Sequence, residues 1–542
     1  MSSRFALLLL VPMISGAATQ PAPAISEVAN AASNLAPGLP GSGIAQGSIF
    51  TVYGSNLGPA SPCSASTTPY TTPLCGVSLT VTVNGTSTYP IPTFVYPTQI
   101  NAILPSPTPV GNGTITVTYN NQTSATSPIQ VVTAAFGTFT PTYGYGQAIV
   151  QVWPSYSLNT IINTFHPNDV GILWGTGLGA ILSGSDADTP VIGNIGSPTM
   201  YVGNTAVTPV YAGRSSQYPG LDQVNFYVPQ GVQGCYVPIA VKAGGTVSNI
   251  GTIAVSSAGT NTCSDSVMGQ DLVNQLASGS NVSFGYIRLL SQSATYAGLA
   301  AAGNSSGDYA YATFSEFTPQ TAYLAEYGVS TGYCVASSEQ YPADMSIAQL
   351  DAGSALVFTV SPLVAPGPMT PEYSGSGYYY LFLGASGKFL YSDYHYTVSG
   401  TGGANVGLFA ATDVTGNVSA HLTSAVNQNI PRSSDLTLQW SYTDAALQNV
   451  PLTIGGYSYS SDLTQAGVFQ CTAPAGATSF TIPSWVLSTL PPSGTAQNGS
   501  LTYPLGVIWI GQYNTGATFS APGLNGGVIT DAFFQGSLVN FQ

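Results

Sequence analysis

The chain carries one pattern twice, and this duplication limits its possible folds more than any other feature. The segment Gln-x-Asn-x-x-x-Pro begins at Gln99 and returns at Gln223, 124 residues later. A glycine-rich turn at Gly54–Gly58 returns at Gly175–Gly179, 121 residues later, so the two copies differ by a short insertion in a loop. A near-constant offset between two separate motifs indicates two related domains in tandem.

Each copy has the pattern of an antiparallel sandwich. Residues 77–83 alternate apolar and polar side chains, which predicts a strand with one buried face. Asn84-Gly85 follows at once and favours a tight hairpin turn. With about seven short strands in each copy, the sequence predicts two immunoglobulin-like sandwiches. Their predicted limits are 25–133 and 134–258.

Several segments of both copies resemble one known module. They are Asn30–Ser33, Ser48–Gly58, Pro97–Ala102, Gly175–Gly179 and Asp222–Asn225. Together they are similar to an extracellular module of acidobacterial (Solibacter-type) secreted proteins, whose units resemble immunoglobulin-like IPT/TIG domains. The resemblance covers roughly residues 25–257 and departs at Val152–Ser155. It implies secretion and a modular surface role, and it implies no enzymatic activity.

Beyond Cys263 the repeat ends, and the sequence predicts more β-structure with one helix. Asp265–Leu276 places its apolar residues on one helical face, with Asp265 at the cap and Gly279 past the end. Strand-like runs follow, and a break near residue 420 gives predicted domains at 264–420 and 421–542. Parts of this half weakly resemble other acidobacterial exported β proteins. The predicted class is all-β: tandem immunoglobulin-like β-sandwiches, then one or two further β-sandwich domains with one short helix.

Charged side chains are scarce, which excludes whole classes of partner. They make up 5% of the chain, against about 25% in an average soluble domain. The net charge is −14, from 6 basic and 20 acidic residues, and the basic residues are scattered singly. Nucleic-acid binding needs clustered Lys and Arg, so no nucleic-acid partner is predicted. No motif indicates a cofactor.

The N-terminus has the features of a secretory signal peptide over residues 1–24. Arg4 supplies a positive charge, Phe5–Ile14 is largely apolar, and small residues follow, with cleavage expected after Ala18 or Ala24. The apolar run is too short to span a membrane, and no later stretch is long enough, so no transmembrane segment is predicted. The sequence therefore predicts a secreted, extracellular or cell-surface protein.

Six cysteines suit an oxidising compartment. Sequence alone allows fifteen ways to pair them. Proximity within the predicted domains favours Cys63 with Cys75 and Cys235 with Cys263, which leaves Cys334 with Cys471. A metal site is disfavoured because no CxxC pair and no neighbouring histidine is present.

No catalytic constellation stands out. Residues 303–307 fit the GxSxG pattern of a hydrolase nucleophile, with Ser305 at its centre. That elbow needs a helix after it, whereas a strand is predicted there. Asp308, His395 and His421 supply the residue types of a catalytic triad, but nothing in the sequence indicates that they lie together. The protein is therefore predicted not to be an enzyme.

Asp186 and Asp188 form a weak candidate for a calcium site in a loop rich in Gly and Ser. Their oxygens suit Ca²⁺, but the Gly and the distal Glu of a complete calcium loop are missing. A solvated turn is the favoured interpretation, and no metal site is predicted.

The densest aromatic region, residues 378–396, supplies the predicted ligand-binding residues. They are Tyr378, Tyr380, Tyr391, Tyr394 and Tyr396. Exposed aromatic faces can stack on sugar rings, which makes extracellular polysaccharide or cell-surface components the expected partners. Because side chains alternate along a strand, some of these tyrosines are expected in the core.

The paired polar residues of the repeat, Gln99 with Asn101 and Gln223 with Asn225, are interpreted as structural. Both copies carry them at one place, so they are expected to bond backbone groups at a strand edge or corner. A ligand-binding role is the alternative.

Two functions remain open on these features. The first is a non-enzymatic secreted or cell-surface protein, whose immunoglobulin-like modules form a scaffold for adhesion or for contact with a matrix or surface. The alternative is a carbohydrate-binding protein that uses the tyrosine-rich region 378–396. The first is favoured because the repeat accounts for much of the chain, whereas the tyrosines of region 378–396 are also ordinary strand formers.

Overall fold

The protein is almost entirely β-structure, as predicted. The computed structural model describes residues 21–264, 267–295, 307–324, 328–338, 347–361, 368–371, 377–384, 390, 394–414, 420–423, 429–442, 448–513 and 516–542. Most of the predicted signal peptide lies outside these residues, and that assignment stays a prediction. Its last residue, Ala24, is the first residue of the first strand.

The first module is a sandwich of two sheets. Its strands are β1 (Ala24–Asn30), β2 (Ile44–Ala45), β3 (Ile49–Ser55), β4 (Cys63–Ser64), β5 (Ser78–Val83), β6 (Thr86–Thr88), β7 (Ile91–Tyr96), β8 (Gln99–Ile103), β9 (Gly111–Tyr119), β10 (Gln122–Thr123) and β11 (Ser127–Val132). One sheet has the order β1-β3-β8-β7-β4, and the other has β2-β11-β9-β5-β6 with β10 beside β9. Phe50 and Ile100 from the first sheet share one core with Leu79 and Ile115 from the second.

The second module repeats this arrangement. Its strands are β12 (Gly137–Thr138), β13 (Val150–Trp153), β14 (Ser157–Leu158), β15 (Val170–Thr176), β16 (Thr199–Val202), β17 (Thr205–Val207), β18 (Tyr211–Arg214), β19 (Asp222–Tyr227), β20 (Gly234–Ala243), β21 (Thr246–Val247) and β22 (Gly251–Val255). The order β15-β19-β18 matches β3-β8-β7, and β20 lies between β16 and β22 as β9 lies between β5 and β11. The prediction of tandem immunoglobulin-like sandwiches is confirmed.

The hairpin between β5 and β6 forms where the sequence predicts it. Val83 pairs with Thr86 across the turn, and the two residues between them have positive φ, 51° at Asn84 and 78° at Gly85. Asn and Gly adopt this left-handed backbone at little cost, and it matches the twist of the flanking strands.

The C-terminal region contains the remaining strands. They are β23 (Val282–Thr295), β24 (Gly307–Phe317), β25 (Cys334–Ser337), β26 (Ala348–Gln349), β27 (Leu356–Ser361), β28 (Pro368–Pro371), β29 (Tyr378–Gly384), β30 (His395–Gly400), β31 (Phe409–Val414), β32 (Ala420–Leu422), β33 (Asn429–Ile430), β34 (Leu436–Tyr442), β35 (Leu452–Tyr459), β36 (Ala466–Ala473), β37 (Ser479–Ile482), β38 (Thr495–Asn498), β39 (Leu501–Pro504), β40 (Gly506–Tyr513), β41 (Ala517–Phe519) and β42 (Gly526–Phe541).

Most of these strands join one sheet. Its main path is β25-β36-β35-β40-β42-β23-β24-β29-β28-β27-β30-β31. Strand β23 pairs in parallel with β42, so strands from both sides of residue 420 are hydrogen-bonded neighbours. Two hydrophobic clusters pack against the sheet, one around Phe314 and Phe358 and the other around Trp485 and Phe469. The predicted domain limits stay predictions.

The predicted helix is shorter than expected. Helix α1 spans Gln270–Ala277, with Gly269 at its N-cap, and Gly279 follows with φ +94°. Asp265 lies outside the described residues. Met268 is buried in a core cluster before the helix begins, so its apolar character serves packing rather than the helical face. A one-turn helix, α2 (Ser484–Leu487), was not predicted from the sequence. Within the described residues, no helix has the length and apolar character needed to cross a membrane.

Three disulfides staple the structure. Cys63 bonds Cys75, Cys235 bonds Cys263, and Cys334 bonds Cys471. The first two are the pairs that proximity in the sequence favours, and the third is the pair that they leave. The last joins neighbouring residues of β25 and β36 and so fixes the end strand of the large sheet.

The two modules meet at a buried polar junction. Arg214 forms an ion pair with Asp222, and both side chains are almost completely buried. Nη2 of Arg214 donates to the carbonyl oxygen of Gly47 in the first module at 2.7 Å and to that of Gly179 at 2.8 Å. One guanidinium group therefore ties the first module to the second.

Further hydrogen bonds complete this junction. The second carboxylate oxygen of Asp222 accepts from the backbone N–H groups of Gly177 at 2.7 Å and Leu178 at 2.8 Å. Burial raises the pKa of the Asp222 carboxyl, whereas Arg214 and these two amides act to lower it. Across the junction, the backbone N–H and hydroxyl of Ser106 donate to Asp186 at 2.6 and 2.8 Å.

Candidate functional site

The outward side of β24 and β29 carries a continuous array of aromatic rings. We call it the tyrosine face; its members are Tyr309, Tyr311, Tyr378, Tyr380 and Phe382. The residues between them point the other way, because side chains alternate along a strand. Ala310, Ala312, Phe314, Tyr379 and Leu383 accordingly lie in the core.

Strand pairing sets the positions of these rings. Tyr309 lies opposite Phe382 and Tyr311 lies opposite Tyr380, with ring centres 5.3 Å apart in both pairs. Tyr309 and Tyr311 are 6.1 Å apart along their strand, and Tyr311 is 6.4 Å from Tyr378. Such cross-strand aromatic pairs each contribute about 0.2–1 kcal/mol to a sheet. The array is therefore held by the sheet itself rather than by loops.

The rings differ in their exposure to solvent. Phe382 is 52% exposed and Tyr380 is 37% exposed, whereas Tyr309, Tyr311 and Tyr378 are partly buried. An apolar ring that is half open to water on a rigid strand is an available stacking surface, and the tyrosines add hydroxyl groups that donate and accept hydrogen bonds.

The guanidinium group of Arg288 lies among these rings. Cζ of Arg288 is 5.4 Å from the ring centre of Tyr286 and 5.6 Å from that of Tyr311. Burial acts to lower the pKa of Arg288, but the surrounding tyrosines, Tyr513 foremost, act to raise it. Together these effects leave the pKa above its usual value. Burial raises the pKa of the Tyr311 hydroxyl, and Tyr378 adds to this. The face thus combines a charged guanidinium with neutral phenols.

The predicted tyrosines do not form one site. Tyr378 and Tyr380 lie on the tyrosine face. Tyr396 is 0% exposed, with its ring 5.8 Å from that of Phe358, so its assignment as a ligand-binding residue is corrected: it belongs to the core. Tyr394 is partly buried and packs against the same cluster. Tyr391 lies outside the described residues.

Sequence reasoning missed three residues of this site and one of its neighbours. They are Tyr309, Tyr311, Phe382 and Arg288. The alternation Tyr-Ala-Tyr-Ala in β24 was the available signal, because small residues on the inner side and rings on the outer side indicate a one-sided strand.

The hydrolase candidates are not brought together among the described residues. Ser305 lies outside them. Asp308 is buried and accepts a hydrogen bond from the Ser291 hydroxyl at 2.7 Å. The Nδ1 atom of His421 lies 2.9 Å from the side-chain oxygen of Gln535. His395 is exposed on β30.

The loop aspartates separate into two environments. Asp186 is buried and engaged by Ser106 as described above, while Asp188 is exposed. In the described part of the chain, no group of three or more His, Cys, Asp and Glu residues is placed to hold a metal ion. Asp186 therefore has a role in the junction between the modules.

The repeated Gln and Asn residues bond each other. Nε2 of Gln99 donates to Oδ1 of Asn101 at 2.9 Å, and Gln223 donates in the same way to Asn225 at 2.9 Å. Strand β8 lies between β3 and β7, and β19 lies between β15 and β18. The expected backbone partner at a strand edge is therefore wrong. Residues two apart in a strand share a face, so their side chains meet directly.

Comparisons with known proteins identify no family for the chain. No protein-family model and no curated protein matches the chain. Among solved structures, the chain is similar to domains A168–A170 of titin, with 10% identity, a TM-score of 0.13, and coverage of 73% of this chain and 99% of that one. Chicken CNTN1 domains FN1–FN3 match with 8% identity, a TM-score of 0.14, and 72% and 97% coverage. Domains 4–9 of the surface layer protein SbsC match with 11% identity, a TM-score of 0.12, and 94% and 66% coverage.

Proposed function

We propose that the protein is a non-enzymatic extracellular scaffold that serves adhesion or contact with a matrix or cell surface. The observation that carries this proposal is the series of bonded junctions along the chain. The Arg214 junction fixes the first module to the second. Modules held in this way present a distant surface in a fixed orientation, whereas flexibly linked ones do not.

The second junction is equally direct. Nδ2 of Asn204 donates to the carbonyl oxygen of Gly332 at 2.8 Å, and the ring of Tyr201 stacks on Trp485 at 4.9 Å. Residues of the second module and of the C-terminal region also share a core cluster that includes Tyr236 and Phe284. The C-terminal region that bears the tyrosine face is therefore joined to the second module by direct contacts.

The compartment is part of the proposal. Three disulfides suit an oxidising environment, and the features of residues 1–24 and the likeness of both modules to IPT/TIG units agree with export. A scaffold of this kind needs no catalytic group.

Fractionation of the producing cells tests this function. We expect the protein in the medium or the cell-envelope fraction, shortened by the signal peptide, and we expect residues 25–542 immobilised on beads to retain those cells or their extracellular matrix. Beads carrying serum albumin serve as the control for nonspecific retention. Recovery of the full-length chain in the cytoplasm would refute the proposal.

Carbohydrate contact through the tyrosine face is the second candidate function. The exposed rings of Phe382 and Tyr380 favour it, since flat apolar faces flanked by hydroxyl groups suit the mixed apolar and polar surface of a sugar. Both rings belong to paired strands, so little conformational entropy is lost when a ligand stacks on them.

A glycan array tests this second function. Replacing Phe382 and Tyr380 together with alanine should weaken binding of any retained glycan about tenfold or more, because truncating central aromatic contacts removes well over 1 kcal/mol. Leu408→Ala is the matched control, since Leu408 is an exposed apolar residue elsewhere in the same region. Glycan binding that survives the double substitution would exclude this use of the tyrosine face.

A further inference from the structure

The second module carries an open aromatic row on the outer side of its larger sheet. Trp153 of β13 pairs with Val170 of β15, which pairs with Tyr227 of β19, so the three side chains lie side by side. Trp153 is 52% exposed and Tyr227 is 54% exposed. We call this set the Trp153 row. Of its three members, Trp153 lies in the segment where the sequence departs from the module that it otherwise resembles.

The first module has the same row, but there it is covered. Offsets of 121 and 124 residues place Ile49 opposite Val170 and Ile103 opposite Tyr227 in the repeat, and Ile49 and Ile103 are themselves cross-strand partners. A Cβ added to Gly220 of the second module would lie 2.7 Å from Ile49 and 2.9 Å from Ile103. The backbone at Gly220 therefore rests on this aliphatic pair and buries it.

The difference between the two rows indicates different occupants. Aliphatic side chains suit a permanent protein contact, while Tyr and Trp suit a surface that is wet part of the time, because each has a polar edge. A second copy of the chain could not cover the Trp153 row with its own Gly220 loop, because in each copy that loop already covers the first module. The Trp153 row therefore differs from the covered row of the first module in two ways. Its side chains are aromatic rather than aliphatic, and a second copy of the chain has no loop available to cover it.

On the strands that carry the row, the outward positions are uncharged, and several of them are polar. On the same outward side, the Trp174 indole N–H donates to Gln151 at 2.9 Å. Asn225 lies one outward row further along, opposite Ile172, and Gln223, which is bonded to it, lies two rows along, opposite Trp174. The outward positions of β13, β15 and β19 carry no Asp, Glu, Lys or Arg. An amide that makes one hydrogen bond still has further donor and acceptor capacity.

We propose that the Trp153 row binds a neutral polysaccharide chain. The rings of Trp153 and Tyr227 are two strands apart, roughly 10 Å, so they can stack on two sugar units of one chain. The amides of Gln223 and Asn225 face hydroxyl groups, and an uncharged face suits an uncharged ligand. This site is separate from the tyrosine face, and it does not depend on the scaffold function.

Affinity electrophoresis in gels that contain hydroxyethylcellulose, xylan, galactomannan or dextran tests the proposal. We expect at least one of these polymers to retard the protein, and we expect Trp153→Ala and Tyr227→Ala each to weaken the retardation constant about tenfold. Tyr218→Ala is the matched control, because Tyr218 is a similarly exposed aromatic residue of the same module and lies in the loop between β18 and β19 rather than on these strands. Melting curves check that each variant is folded.

Three results would overturn the proposal. The first is no retardation by any of the four polymers. The second is retardation that persists in both row variants and is lost when Phe382 and Tyr380 are replaced, which would assign binding to the tyrosine face alone. The third is a wild-type dimer in sedimentation that Trp153→Ala converts to a monomer, which would make the row a contact between copies. Loss of retardation in the row variants with an unchanged melting temperature supports it, and this result is independent of where the protein is localised.

Discussion

Asp222→Asn is expected to lower the free energy of unfolding of the second module by about 3–5 kcal/mol. The substitution leaves the Arg214 guanidinium almost fully buried without its counter-charge. The new amide group can also turn a donor towards the N–H groups of Gly177 and Leu178, which now donate to the carboxylate. Chemical denaturation followed by tryptophan fluorescence measures the effect, since Trp174 lies in β15 beside the junction.

Two further variants separate charge from packing. Asp188→Asn removes an exposed carboxylate near the same junction and should change stability by no more than about 0.5 kcal/mol. Arg214→Met combined with Asp222→Leu removes both charges and should recover part of the loss, as isosteric apolar replacements of buried pairs often do. Recovery is incomplete because the carbonyl groups of Gly47 and Gly179 lose their donor. A loss of less than about 1 kcal/mol in the free energy of unfolding for Asp222→Asn would show that the ion pair contributes little to the stability of the second module.

The tandem fold could be predicted because its signals are local and repeated. Alternation in β5, the Asn84-Gly85 turn and the returning Gln-x-Asn strands each act within a few residues. The repeat then supplied an independent check on the strand order, since β3-β8-β7 and β15-β19-β18 are equivalent. Disulfide pairing followed the same logic for Cys63 and Cys235, whose partners are close in sequence.

The junction between the modules could not be predicted from the repeat. Asp222 occupies the position of Thr98 in the first copy, so the ion pair is a departure from the shared pattern. The carbonyl of Gly47 that Arg214 reaches is 167 residues away in sequence. No periodicity marks such a contact, because it depends on how two finished sandwiches pack.

The tyrosine face shows a different limit. Tyr378, Tyr379 and Tyr380 are adjacent and identical in type, so alternation predicts that they divide between two faces and does not say which face is buried. That choice depends on the neighbouring strands, and β24 lies beside β29 across a gap of some sixty residues. Tyr396 was misplaced for the same reason, because its strand β30 turns that ring towards Phe358.

Replacing Cys334 and Cys471 together with alanine is expected to lower the free energy of unfolding of the C-terminal region by about 5 kcal/mol. The bond closes a loop with a sequence separation of 137, and both cysteines are completely buried. In the chain-entropy account, a disulfide stabilises by restricting the unfolded chain, and the effect grows with the logarithm of loop length. Alanine is chosen so that no hydroxyl group is buried without a partner.

The bond between Cys63 and Cys75 is the matched comparison, because its sequence separation is only 12. Alanine at both positions should lower the stability of the first module by about 3 kcal/mol. Calorimetry resolves the two effects if each pair of substitutions shifts a different transition, and Trp485 and Trp509 fluorescence reports the C-terminal one. Loss of the long-range bond should also release β25, since that end strand pairs with β36 where the two cysteines meet. Equal losses in the free energy of unfolding for both variants would contradict this expectation. They would mean that local packing around the sulfur atoms, and not loop length, sets the contribution of each bond.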